Sequence, residues 1–471
     1  MARVWTDENK FAKWLEVELA VLRVRERRGE IPPGTAEGIE QTLSIHDAIV
    51  ITIDERDKLI GHDLNAFIET MRFVLNDVGA KTEHRFKLAL IPGLEEGVFD
   101  RVLKSGHPKK WDHYFHEGMT SYDTEEPAMA LLFREADEVI DNGVDRVLEA
   151  LKALAVKHRG TLMIGRTHGQ WAQPVTFGKR CLDWYEMVER ARDRLKASAE
   201  EVAVMKLSGA VGMYGTFGPG IEEDVATELD LKVADIATQI LPLCRRAQHL
   251  NSIAELATVL GKIAFDLWLL SQSEIGEVRE PFGRKQKGSS AMPHKKNPIT
   301  LEKLRGLPRH VRHCAASVLE SVETAHERDI SHSSVERIAV PDAYGLADHL
   351  LRQLTRVLEG LEVFPDRMLE NLEATNELYA TQPLRELLGA RGVPGETAYR
   401  FMQNCAAEAV KRGVQLSVIF MKTESEDVPF GLRSDLRGTV EFKRFLDPEW
   451  WVRHEDVYYS RFGLNGSRKR D

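Results

Sequence analysis

Apolar residues recur every three or four positions through most of this chain, and that period predicts helices. Thr6 stands where an N-cap belongs, ahead of a helix predicted from Asp7 to about Arg28. Phe11, Leu15, Leu19 and Leu22 share one face of it, and the Gly29–Pro33 stretch ends it. A second helical stretch is predicted from Asp54 to Val74, whereas Gly79 to Pro108 is broken by glycine and proline and orders into no element. From Ala128 to His158 the apolar positions Leu132, Ala136, Ile140, Val144, Val147, Leu151 and Leu154 step by three or four. Phe177–Lys206, Leu250–Val278, Ile299–Thr324 and Glu336–Leu361 behave likewise. Helices of this length exceed the globular norm and need long partners. The predicted fold class is therefore mainly α, an elongated antiparallel long-helix bundle with smaller helical N- and C-terminal domains. The divisions fall at 1–118, 119–364 and 365–471, with a more broken last segment that holds the Gly392–Glu396 turn. Strand signals are weak throughout. The apolar stripes are wide, Ile253 to Leu270 especially, which predicts burial between subunits as well as within one.

Composition narrows the class. A chain of 471 residues holds a large core, and a formal charge of -10 argues against general nucleic-acid or membrane binding. No apolar run reaches transmembrane length, and the N-terminus carries no signal-peptide pattern. Cys181, Cys244, Cys314 and Cys405 share no C-x-x-C spacing and read as buried thiols in a reducing compartment. A cytoplasmic protein is the expectation.

Four polar stretches interrupt the helices. Glu117 to Asp123 is turn-like. Gly283 to Pro298 is a loop of sixteen residues with five cations (Arg284, Lys285, Lys287, Lys295, Lys296), two hydroxyls (Ser289, Ser290), His294 and Asn297. Such a composition suits a mobile lid over an anionic substrate, and equally a solvated basic loop. In Gly165-Arg166-Thr167-His168-Gly169, glycines on both sides allow a tight turn that pushes an imidazole outward. Histidine is the usual general acid or base near neutrality, although a lone one in a turn is more often structural. Arg328 to Arg337 sets two arginines around Ser331, Ser333 and Ser334, as phosphate binding or a salt-bridged helix start would require.

Taken together, these stretches resemble the fumarase/aspartase superfamily and, within it, the adenylosuccinate lyase family. The Ser-Ser-x-Met-Pro-x-Lys-x-Asn-Pro loop (Ser289 to Pro298) carries the superfamily likeness. His116 to Asp123, Gly165 to Gly169 and Arg328 to Arg337 narrow it, and the Trp5–Glu18 stretch and His62-Asp63 also match. The resemblance implies β-elimination of fumarate from adenylosuccinate, leaving AMP, and from succinyl-aminoimidazole-carboxamide ribotide. It implies no metal or redox cofactor and a homotetramer with shared active sites, whose only partner is a small-molecule nucleotide. By motif position Ser290 is the base and His168 the acid. Lys295 and Asn297 stabilise the carbanion, and Thr120, Ser121 and Gln239 hold the succinyl carboxylates. Glu302 orients His168, and His62 helps position the substrate. His116, Arg328, Ser333 and Arg337 surround the phosphate, while Asp63, Ser289 and Met292 complete the substrate-binding set.

Two departures accompany the resemblance. Members usually carry an Arg-Tyr pair several residues upstream of the Trp5 equivalent that contacts the phosphate, and Arg3 is too close to Trp5 to replace it. The stretch from Thr70 to Pro108 is also longer than its counterpart in compact relatives. A sister lyase acting on argininosuccinate or a carboxymuconate would not need the Arg328–Ser333–Arg337 cluster. A silent scaffold would not need Ser290 and His168.

Overall fold

The computed structural model describes residues 1–76, 111–283 and 285–464. The expectations for Gly79–Pro108 and the polar tail Asn465–Asp471 lie outside these residues, as does Arg284.

Helix α1 runs from Asp7 to Arg27, and the Thr6 hydroxyl accepts from the Asn9 N–H at its start, as the cap signal predicts. Helices α2 (Thr35–Thr42), α3 (Asp47–Ile60) and α4 (Asp63–Asn76) follow. The single stretch expected from Asp54 to Val74 is thus two helices. Gly61 takes a left-handed conformation (φ 67°) that ends α3, and the His62 ring accepts from the Asn65 N–H to start α4. The longest element described, α5, spans Ser121–Lys157 and begins well before Ala128, passing through Pro127 and absorbing the last three residues of the expected turn at 117–123.

A β-hairpin, β1 (Leu162–Thr167) with β2 (Gln170–Thr176), leads into α6 (Phe177–Val202). Helices α7 (Pro219–Leu229) and α8 (Cys244–Leu270) come next. The helix expected from Ile299 to Thr324 is divided into α9 (Ile299–Gly306) and α10 (Pro308–Glu320). Pro308 has no N–H to continue the first and opens the second. Helix α11 covers Ser331–Glu359, starting five residues before the expected Glu336. Eight further α-helices and one 3-10 turn lie between Pro365 and Arg461, counted among the described residues. The fold is mainly α, and the other strand pairs among the described residues are only two residues long.

The chain divides into two compact units, each built from separate segments. One comprises Met1–Gly143, Ala191–Thr258 and Pro308–His349; the other comprises Val144–Arg190, Val259–Leu307 and Leu350–Asp471. In the first unit a core of Phe11, Trp14, Phe67 and Phe115 packs α1 and α4 together, with Leu207 and Ile221 joining from later in the chain. In the second unit Phe401, Phe420, Leu436 and Phe442 gather the C-terminal helices around Ile164 of the hairpin. Burying aromatic and branched side chains at this density is the main stabilising term in each. Three of the four cysteines are buried, but Cys244, the first residue of α8, is exposed.

Candidate active site

In the first unit, the start of α11 assembles the arginine-serine stretch. Asp329 organises it: its carboxylate accepts from the Ser331 N–H at 2.7 Å and from the Ala325 N–H at 2.7 Å. Those hydrogen bonds, with one from the Ser331 hydroxyl ranking first, hold the Asp329 carboxyl well below the usual range. Ser331 is thereby tied to Asp329, and Ser334 donates to the Ser331 carbonyl. Ser333 instead turns toward Arg337 one turn on, 3.4 Å from its Nε. Both line a cavity of about 220 Å³ with Trp5, Lys10, Tyr122 and Glu125. An ion pair 2.7 Å long ties Arg337 to Asp63. Arg328 donates to the Gln239 side chain at 3.0 Å and lies 3.9 Å from the Tyr122 ring centre.

In the same unit His116 and Thr120 have partners of their own. His116 Nδ1 sits 2.7 Å from Glu18 Oε1, and Thr124 donates to the same oxygen at 2.6 Å. The Thr120 N–H donates to Asp123 at 2.9 Å, so Thr120 and Ser121 form the capped first turn of α5.

Several ionisable residues here have no role assigned from the sequence. Arg246 is buried between Glu126 and Glu336, donating to the latter at 2.6 Å. His332, fully buried, lies 3.5 Å from Glu336. Glu125 faces the cavity, and burial, with the nearby Asp63 charge, pushes its carboxyl up to about 7 against the pull of Arg337 and Arg328. Lys206 and Asp123 form an ion pair of 2.6 Å, each side chain 1% exposed. The available signal was composition, since Lys206 is the one charge in the otherwise apolar run from Val202 to Leu207.

The second unit holds the remaining candidates. Thr167 pairs with Gln170, so the hairpin turn is the two residues His168 and Gly169, with φ of 54° and 75°. Positive φ at both positions belongs to a type I′ turn, which matches the twist of the strands. Glycine adopts it freely, whereas His168 does so at a cost of about 1 kcal/mol. The turn carries the imidazole into solvent, where it makes no hydrogen bond among the described residues. Below it, Arg166 pairs with the buried Glu277 at 3.0 Å, and Asn371 donates to the same carboxylate at 2.8 Å. The anchor is fixed and the tip is free.

The Gly283–Pro298 stretch has no regular structure among its described residues, as expected, yet it is internally tied. Asn297 donates to the Gly288 carbonyl at 2.8 Å, and the Ser289 hydroxyl accepts from the Met292 N–H at 3.1 Å. A Cβ on Gly288 would lie 2.2 Å from the Lys295 carbonyl oxygen, so only glycine permits this doubling back. Ser290, Met292, His294 and Lys295 are exposed, and the Ser290 hydroxyl has no partner among the described residues. Glu280 caps the following helix α9 through the Thr300 and Leu301 N–H groups. Glu302, in its first turn, is exposed, and no hydrogen bond joins it to His168 among the described residues.

Comparison with known proteins gives these features a family. A model of a lyase family matches residues 5–312. The adenylosuccinate lyase of Aquifex aeolicus is 37% identical over 98% of this chain and 96% of its own length. That of Bacillus subtilis is 35% identical over 98% of both. Among solved structures, a fumarate lyase from a Mesorhizobium species superposes with a TM-score of 0.80 at 25% identity, covering 98% of this chain and 97% of that one. The 3-carboxy-cis,cis-muconate lactonizing enzyme of Pseudomonas putida gives 0.79 at 24% identity over 98% and 95%, a likeness of fold alone. With relatives this similar over almost its whole length, the chain belongs to the adenylosuccinate lyase family of the fumarase/aspartase superfamily.

Proposed function

We propose that this protein cleaves adenylosuccinate to AMP and fumarate, and the corresponding succinyl-aminoimidazole-carboxamide ribotide, in purine biosynthesis. The near-full-length similarity to curated adenylosuccinate lyases carries the reading. The Ser333–Arg337 pair on the wall of a cavity that also presents Lys10 supports a phosphorylated substrate, because planar guanidinium and hydroxyl donors suit phosphate oxygens.

Ser290 removes a proton from the succinyl Cβ, the Cα–N bond breaks, and His168 protonates the departing purine nitrogen. A serine hydroxyl is too weak a base in water, so it needs cations and backbone dipoles around it in a site closed to solvent. Lys295 and Asn297 stabilise the carbanion as charge spreads into the adjacent carboxylate. Thr120, Ser121 and Gln239 receive the carboxylates, and His116, Arg328, Ser333 and Arg337 surround the phosphate, with Arg337 exchanging its Asp63 contact for the ligand. His62 positions the substrate beside Asp63, Ser289 and Met292, and Glu302 orients His168 when the site is complete. The working unit is a cytoplasmic homotetramer whose sites draw on several chains, each divided at 1–118, 119–364 and 365–471.

Incubating the purified protein with adenylosuccinate tests this directly. Loss of ultraviolet absorbance with equimolar release of fumarate is the expected result. Turnover of argininosuccinate or a carboxymuconate instead would replace the reading with a sister lyase.

A further inference from the structure

The first unit contains a buried charge pair in which Asp123, the last residue of the His116–Asp123 stretch, meets Lys206, which lies in none of the four polar stretches. Asp123 stands in the first turn of α5, and each of its oxygens holds a different piece of backbone. Oδ2 accepts from the Thr120 N–H at 2.9 Å, and Oδ1 accepts from the Gly209 N–H at 3.2 Å. Lys206 donates to Oδ1 at 2.6 Å and to the Gly209 carbonyl at 2.8 Å. The pair therefore ties two turns together, Thr120–Ser121 and Ser208–Gly209, although 83 residues separate Asp123 from Lys206.

The second turn leads into a loop closed by the Tyr214 N–H donating to the Ser208 carbonyl at 2.9 Å. Tyr214 is held in turn by its hydroxyl, which donates to Glu222 at 2.6 Å, while the other Glu222 oxygen accepts from the Leu207 N–H. Both flanks of the loop are thus pinned, and its middle, Val211 and Met213, is exposed. Taking two charges out of water costs several kcal/mol, and an apolar pair of similar volume would often serve stability as well. What an apolar pair cannot do is hold two backbone N–H groups and a carbonyl in one fixed geometry.

We propose that Lys206 is a positioning residue, acting through Asp123 to set the Thr120–Ser121 turn as a receptor for the carboxylates of a dicarboxylate such as the succinyl group. This rests on the proposed function insofar as Thr120 and Ser121 are taken to contact the succinyl group. Without the cation, the Asp123 carboxylate is unpaired in the interior and repels the negative charge that the adjacent turn should attract. Loosening that turn weakens carboxylate binding without touching the acid or the base.

The test compares wild type with Lys206→Met in two assays. Turnover of adenylosuccinate by wild type judges the proposed function alone. Fumarate affinity by calorimetry, together with KM and kcat where turnover exists, judges the role of Lys206. The expected result is a fumarate affinity lower by about 10- to 100-fold, the cost of misplacing a binding group by an ångström or so. KM should rise in parallel and kcat change less. Wild type that binds no fumarate, or a folded variant that binds it equally well, would overturn the assignment. If Lys206→Met does not fold, Lys206→Ala with added propylamine decides. Amine-dependent recovery of fumarate affinity at constant helical content supports positioning, and affinity indifferent to the amine ends it.

Discussion

The start of α11 and the Gly283–Pro298 loop are both polar interruptions rich in cations, but they are built on opposite plans. Around α11 nearly every charge has a buried or half-buried partner: Arg337 with Asp63, Arg328 with Gln239, Arg246 with Glu126 and Glu336. In the loop the backbone is tied, by Asn297 and by the Ser289 hydroxyl, while Ser290, His294 and Lys295 are left exposed. The His168 hairpin repeats the second plan, with Arg166 anchored on the buried Glu277 under a free imidazole. Recognition groups gain from being fixed before the ligand arrives, since less entropy is lost on binding. Groups that move protons must instead be free to meet the reacting atom. The contrast makes separate predictions for catalysis and for stability.

The sharpest break should come at the free groups. Ser290→Ala and His168→Ala should each lower kcat by about 10²–10⁴-fold, with thermal unfolding unchanged because neither side chain is packed. Mixing the two variants should restore part of the activity if sites draw on different chains. No recovery after verified subunit exchange would remove the shared-site reading.

At the fixed groups the order reverses, and stability should suffer first. Arg246→Met strands Glu126 and Glu336 as buried carboxylates, which should cost about 3–5 kcal/mol in urea unfolding. A loss within the scatter of surface substitutions would mean that the pair is relaxed by solvent. Arg337→Lys is intermediate, since its side chain is half exposed and paired on one side only. It should weaken a phosphorylated substrate by about 1.5–3 kcal/mol, roughly 10- to 150-fold in KM. The dephosphorylated nucleoside should be affected little, and equal weakening of both would remove the phosphate assignment.

The most gradual effect concerns Glu125, whose carboxyl burial pushes up to about 7. Its folded value lies above the unfolded one, so between the two the native state holds a proton that the unfolded chain has released. That contribution is complete below the unfolded value and is lost as pH rises through about 7. Wild-type stability should therefore fall relative to Glu125→Gln by about 1 kcal/mol per pH unit across that window. Parallel stability profiles for the two proteins would place the carboxyl in water.

Much of the fold was legible residue by residue. Thr6, the apolar steps of α5 and the glycine-proline punctuation of the 283–298 loop each act within a few residues of themselves, so their meaning survives without a tertiary context. Errors fell where two local signals competed. Gly61 and Pro308 each split a stretch whose apolar period ran on unbroken, because a left-handed residue or a missing N–H outweighs periodicity at one position. The hairpin at Leu162–Thr176 was hidden in the same way, its short strands overshadowed by the polar turn they present.

The candidate site divides along a similar line. Motif residues such as Ser290, His168 and Arg337 could be named from the chain alone, because their chemistry and neighbours lie within one short stretch. Their partners could not. Asp123 meets Lys206 across 83 residues, and Glu126 meets Arg246 across 120. A charge in sequence declares only that it must be solvated or paired. Which of the two occurs, and with whom, is settled when the packed helices exclude water and leave particular oppositely charged groups within reach.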